Sequence, residues 1–182
     1  ICVHPYPASF YCRDQVFPLL GFDEFIDIQV FRDVENSGPY IGDVALAERV
    51  CQMLANSTQP LFIFVITMEN HGPLHLETVQ PGEVEQFYDQ APPPGCDDLT
   101  IYLRHLKNAD RMMAMLRQQM LSLPGEQLLC WYGDHVPIMP MVYKQLGEPE
   151  GGTEYYLWKN RISNVEIKSD NLLVSDLAIK AV

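Results

Sequence analysis

An α/β domain with a largely parallel sheet flanked by helices is the fold this sequence predicts, and three observations carry the prediction. Continuous apolar, β-rich runs occur at 61–67 and 127–132, as expected for strands buried on both faces. Amphipathic stretches with helical spacing lie between them. Each return from helix to strand is punctuated, by Pro60 before the first run and by Pro124-Gly125 before the second. Such alternation is what a sheet covered by helices requires.

The elements follow in order. A short apolar segment, Ile1-Cys2-Val3, leads into His4, and 24–31 is a weaker strand candidate. Residues 43–55 carry Val44, Ala47, Cys51, Leu54 and Ala55 at helical spacing. The longest helix candidate, 97–121, presents Leu99, Tyr102, Leu103, Leu106, Ala109, Met113, Leu116 and Met120 on a broad face. Asp97 and Asp98 at its start suit the positive end of the helix dipole. Its methionines, Met112, Met113, Met115 and Met120, read as flexible core filling in preference to a ligand groove. Ala91-Pro-Pro-Pro-Gly95 is a stiff loop, 136–152 a long one, and 153–158 a further strand. No repeat is visible, and the chain reads as one domain.

Composition narrows the function classes. Apolar residues make up 47% of the 182, enough for a sizeable core. Twenty-four acidic residues against 12 Lys and Arg give a net charge of −12, which disfavours nucleic acid and anionic lipid as partners. An anionic substrate would need a local cation or a metal against that field. No apolar run is long enough to span a membrane, and the start lacks Met, a basic segment and a cleavage signature. The expectation is a piece of a longer protein, with any membrane attachment in segments outside this chain. The five cysteines show no zinc-finger spacing; Cys51 and Cys130 fall in apolar patterns and read as core. An odd count neither requires nor excludes an oxidising compartment.

Three short motifs carry chemistry. Trp131-Tyr-Gly-Asp-His135 directly follows a buried strand, where open α/β sheets bind ligands. A carboxylate and an imidazole side by side can point at one divalent cation, although Gly-Asp is also an ordinary turn dipeptide. Thr67-Met-Glu-Asn-His71-Gly-Pro73 follows the other buried strand and places His71 at the same edge, if the two strands are parallel neighbours. His4-Pro-Tyr-Pro-Ala-Ser-Phe-Tyr11-Cys-Arg13 brings together an imidazole, an aromatic ring and a guanidinium. The planar fork of Arg suits phosphate or sulfate oxygens, while pairing with Asp14 is the bland alternative.

These motifs in this order, with Tyr102-Leu103 and Ala109-Asp110 on the long helix and Ser175-Asp176 opening a last one, resemble a known family. The family is the alkaline phosphatase/sulfatase superfamily, and the likeness is greatest to the lipoteichoic acid synthase-like phosphoglycerol transferases. The resemblance covers nearly the whole chain and implies the C-terminal part of a sulfatase-like catalytic domain over 1–182, an alkaline-phosphatase-like fold incomplete at its N-terminus.

By that resemblance Asp134 and His135 would be metal ligands, and His4, Tyr11, Arg13 and His71 would line the substrate pocket. The cofactor implied is one divalent cation, Mn²⁺ first, with Zn²⁺, Mg²⁺ or Ca²⁺ as alternatives. The nucleophile would precede residue 1, since Ser9 and Thr67 lie inside pocket motifs. The reaction implied moves a phosphoglycerol-type or phosphoethanolamine-type group onto a glycan or envelope polymer through a covalent enzyme intermediate. A sulfuric ester or phosphodiester hydrolase and a non-catalytic glycan-binding or scaffold module are the rival expectations. The implied setting is an extracytoplasmic domain of a membrane-anchored protein. Tyr11 stands where the family usually has Trp, and Val136-Pro-Ile-Met-Pro140 replaces the usual small residues, so the transferred group and acceptor are left open.

Overall fold

The computed structural model describes residues 1–161. In chain order it contains β1 (Cys2–Val3), α1 (Arg13–Leu19), β2 (Phe25–Ile26), β3 (Asn36–Ser37), β4 (Tyr40–Ile41) and α2 (Asp43–Asn56). There follow β5 (Phe64–Val65), α3 (Glu83–Phe87), α4 (Asp97–Ser122), β6 (Leu128–Tyr132), α5 (Pro140–Leu146) and β7 (Tyr155–Lys159).

The central sheet is parallel, in the order β2-β1-β5. Its middle strand is the most deeply placed, with Cys2 and Val3 fully buried. The apolar run at 61–67 forms a ladder only over Phe64–Val65, and as an edge strand it is half-buried, not covered on both faces as expected. Phe62, just before it, is 72% exposed. The strand expected over 24–31 shrinks to Phe25–Ile26, because Asp27 caps a 3-10 turn at Ile28–Phe31 by accepting a hydrogen bond from the Gln29 amide.

β6 and β7 differ from the expectation in a second way. They pair with each other, antiparallel, and β6 is not hydrogen-bonded to β5. The long loop at 136–152 contains α5, entered through Pro140 in the first helical turn, where a missing N–H costs nothing. The helix expected to open at Ser175-Asp176 lies outside the described residues.

The core lies between the sheet and the packed pair α2 and α4. Val3, Ile26, Phe31, Ile41, Leu46, Ala47, Val50, Met112 and Leu116 form it. The buried face of α4 is Ile101, His105, Ala109, Met112, Leu116 and Met120, with Thr100 beside it. Apolar spacing alone rotated this face toward Leu106, which is 39% exposed, because two of the buried positions are polar. Met112 and Met120 fill core space as expected, whereas Met113 and Met115 are only half-buried. All five cysteines are free thiols; Cys2 and Cys96 are the fully buried ones, whereas Cys51 and Cys130 are only half-buried.

The rotation of α4 makes a direct test. Leu46→Ala should destabilise the domain by about 2–5 kcal/mol, the range for truncating a fully buried leucine, and Leu106→Ala by less than about 1 kcal/mol. Denaturant unfolding of the two variants measures both, and equal losses would place Leu106 in the core.

Candidate active site

His4 follows the last residue of the central strand and is held from both sides. Its amide donates to the Ile26 carbonyl of β2 at 2.9 Å, and its ring Nδ1 lies 3.0 Å from the Ile66 carbonyl beyond β5. A carbonyl can only accept, so Nδ1 carries the proton and Nε2 is left as an acceptor. Arg13 Nη1 donates to that Nε2 at 2.5 Å. Burial pushes the His4 imidazole below its ordinary value, against the pull of the Ile66 carbonyl and with help from the Arg13 charge. His4 is thus a neutral ring whose one free lone pair aims a guanidinium.

Arg13 is further flanked by the rings of Phe10 at 5.3 Å and Tyr11 at 5.5 Å. Tyr11 and Cys12 both adopt the left-handed region, with φ of 55° and 52°. Two consecutive non-glycine residues there cost on the order of 1–3 kcal/mol each, a strain typical of sites where geometry is dictated by function. The turn they make sets Arg13 at the first position of α1. Among the described residues no carboxylate pairs with Arg13, Asp14 included. Its remaining N–H donors are available to an anion.

His71 and His135 stand together. Their ring centroids are 6.1 Å apart and nearly perpendicular. In each ring Nδ1 meets a neighbouring carbonyl, Gly72 at 2.6 Å and Val136 at 2.9 Å, so each Nε2 is left with its lone pair. Asp134 Oδ1 accepts from the His135 amide at 2.9 Å, and its Oδ2 lies 3.8 Å from His135 Nε2. Gly133 is needed here for space: a Cβ would meet Thr153 Cβ at 3.1 Å, where Thr153 Oγ1 donates to the Gly133 carbonyl at 2.6 Å. Residues 153–154, leading into the antiparallel β7, therefore fix the turn that β6 delivers.

The two groups are joined by aromatic rings. Tyr6 lies 5.0 Å from Phe10 and 6.2 Å from Tyr40, and Tyr40 lies 6.1 Å from His71. Tyr40 also donates to the Gly72 carbonyl at 2.9 Å. Arg13 makes no hydrogen bond to His71, Asp134 or His135, so the wall between them is Tyr6 and Tyr40, neither of which the motifs had singled out. Tyr6 lies inside the His4–Arg13 motif and Tyr40 opens β4, and neither has a spacing signal of its own.

Asp134 and His135 offer one carboxylate oxygen and one imidazole nitrogen, a donor set that suits a borderline divalent cation. The Val136 carbonyl orients the imidazole as a second partner commonly does at metal sites. Both side chains are more than half exposed, at 78% and 54%. Among the described residues no cluster of three His, Cys, Asp or Glu side chains is arranged to hold a metal, so these two would supply an ion with two donors and leave its other positions open.

The comparisons decide the kinship. The model of the family described as Sulfatase matches residues 1–169. The chain belongs to the sulfatase family. A capsular polysaccharide biosynthesis protein, RkpI of Rhizobium meliloti, is 28% identical over 158 residues, covering 85% of this chain and 27% of that protein. The lipoteichoic acid synthase of Staphylococcus saprophyticus is 26% identical over 136 residues, covering 71% of this chain and 20% of that protein. The solved Streptococcus pyogenes phosphoglycerol transferase GacH, in complex with sn-glycerol-1-phosphate, shares the fold at a TM-score of 0.67 and 24% identity. That likeness covers 87% of this chain and 42% of GacH. This sulfatase-family chain therefore spans between a fifth and about a quarter of the length of these curated relatives. Among its described residues no helix is long and apolar enough to cross a membrane.

Behind the site lies a buried polar cluster that the motifs did not reveal. Glu69 is 1% exposed, and Asp43 and His105 are fully buried. Burial works against the Glu69 charge, but hydrogen bonds from His105, Asn108, the Asp43 amide and Ser37 outweigh it and hold the carboxyl below its usual range. Asp43, pushed by burial and then by the Glu69 charge, rises to about 7. The folded state thus keeps a proton that the unfolded chain releases near 3.8. Its stability contribution is intact below that value and is lost as pH climbs through about 7. Asp43→Asn should therefore raise Tm relative to the wild type by at least about 3 °C more at pH 8 than at pH 4, the shift expected for roughly 1 kcal/mol in a domain of this size. Thermal scans at the two pH values check this, and a difference independent of pH would contradict it.

Proposed function

We propose that this chain is part of a metal-dependent transferase that moves a phosphoglycerol-type or phosphoethanolamine-type group onto a glycan or envelope polymer. The observation that carries the reading is that the turn after β6 sets His135 beside His71, while Tyr40 and Tyr6 link His71 to the His4–Arg13 turn. Relatives named for capsular polysaccharide biosynthesis and lipoteichoic acid synthesis support the acceptor class. In this reading the catalytic domain works outside the cytoplasm, attached to the membrane through parts of the protein other than these residues.

The anionic group lies against Arg13, whose guanidinium is held by neutral His4 and backed by Phe10 and Tyr11. That fork donates to the non-bridging oxygens and holds them in register. His71 Nε2 and the Tyr6–Tyr40 wall fix the organic part of the transferred group. Asp134 and His135 would hold one divalent cation, Mn²⁺ in first place, which supplies charge neutralisation on the transferred group when bound. A hydroxyl nucleophile elsewhere in the parent protein forms a new P–O bond as the donor ester P–O bond breaks. The departing alcohol takes up the proton that the nucleophile gives up, and the acceptor hydroxyl then repeats the exchange in reverse.

The test is turnover by the full-length protein with a phosphoglycerol ester, a glycan acceptor and Mn²⁺. Label appearing on the glycan supports the transferase. Label appearing as free glycerol phosphate, or sulfate released from a sulfate ester, marks a hydrolase, and no turnover with retained glycan binding marks a non-catalytic module. In the active protein, Arg13→Ala should lower kcat/KM at least about tenfold, as expected for losing a charge-assisted hydrogen bond. Arg13→Lys should recover little of it because the fork is gone. Near-normal kcat/KM in both variants would remove Arg13 from the site.

A further inference from the structure

Two carboxylates bracket the loop that carries His71. Glu69 lies just before it and Glu77 just after, with a 3-10 turn at Leu74–Leu76 between them. One imidazole from α4 reaches both. His105 Nδ1 is 3.0 Å from Glu69 Oε1, and His105 Nε2 is 2.9 Å from Glu77 Oε1. A neutral imidazole has one N–H and could satisfy only one of these acceptors, so the geometry calls for the doubly protonated ring. Burial opposes that charge, and the hydrogen bonds and charges of Glu69 and Glu77 overcome it and raise the ring above the ordinary histidine value.

Each carboxylate is tied down by further donors. Glu69 accepts from Ser37 Oγ at 2.7 Å, from the Asp43 amide at 2.5 Å and from Asn108 at 2.6 Å. Glu77 Oε2 accepts from Arg104 at 3.0 Å, and Arg104 also reaches Glu83 at 3.1 Å. Gly38, at a φ of +62°, closes over the outside: a Cβ there would sit 2.5 Å from Glu77 Oε1.

We propose that His105, clasped between Glu69 and Glu77, is the positioning residue that closes the His71 loop onto α4 and so sets where the His71 ring stands in the site. His105 touches none of the residues assigned to substrate; it acts through the loop. The consequence for turnover rests on the substrate-holding role proposed for His71, whereas the clasp itself does not.

The experiment is backbone amide hydrogen exchange on the full-length protein, comparing wild type with His105→Gln and Glu77→Gln. Glutamine at 105 cannot donate to both carboxylates, and the change at 77 removes a charge while leaving the fully buried positions intact. Exchange across 70–77 should rise at least about tenfold in both variants, with β1 and α4 retaining their protection. In the wild type, loop protection corrected for intrinsic exchange should fall as pH rises through the raised titration of His105, and His105→Gln should lack that step. The groups facing the ring are Glu69 and Glu77 on either side, Arg104 and Asn108 on its own helix, and Asp43 on α2, whose ionisation near 7 favours the cation. Unchanged loop exchange in either variant, or an equal rise across β1 and α4, would overturn the clasp. Loop opening with unchanged kcat/KM would leave the clasp standing and refute the role given to His71.

Discussion

The Glu69 carboxylate is the point on which the carboxyl edge of this sheet depends. It is buried to 1% exposure and accepts from Ser37, the Asp43 amide, His105 and Asn108. Those donors come from the β3–β4 hairpin, the first turn of α2 and the middle of α4. A buried charge is costly unless its lone pairs are satisfied, and removing one partner of such a group leaves the others unmatched. The hairpin, the two long helices and the strand end that leads to His71 therefore share one constraint. Tyr40, at the far side of the same hairpin, extends it to the site itself through the Gly72 carbonyl.

A second constraint works against the charge of the whole chain. At −12 the general field repels an anionic substrate. The local answer is Arg13, which pairs with no carboxylate among the described residues and takes a neutral histidine as its anchor. His4 is neutral because it is buried between two strands, and it is buried because β1 is the middle strand. The position of β1 in the sheet thus reaches through His4 to the guanidinium fork.

The legible parts of the sequence were those with periodicity or an unusual dipeptide. The run at 61–67, the helices at 43–55 and 97–121 and the three motifs each have such a signal; His71 and His135 do stand together, although not through parallel neighbouring strands as expected. The antiparallel pairing of β6 with β7 was not legible, because strand partners are chosen by tertiary packing and not by local pattern. The true face of α4 was hidden by His105 and Thr100, polar residues at buried positions. Glu69 stood inside a recognised motif without a role, since a buried carboxylate looks like a surface one until its donors are seen. Tyr6 stood inside the His4–Arg13 motif without a role, and Tyr40 gave no sequence signal.

The central claim is that Arg13 and the Asp134–His135 pair serve one site for a phosphorylated group beside a metal. Phosphorus-31 relaxation of glycerol phosphate bound to the full-length protein, with Mn²⁺ as the paramagnetic ion, measures it most directly. The account predicts strong paramagnetic relaxation in the wild type, lost in Asp134→Ala through loss of the ion and in Arg13→Ala through loss of the ligand. Strong relaxation surviving in either variant, or glycerol phosphate bound without relaxation in the wild type, would contradict it.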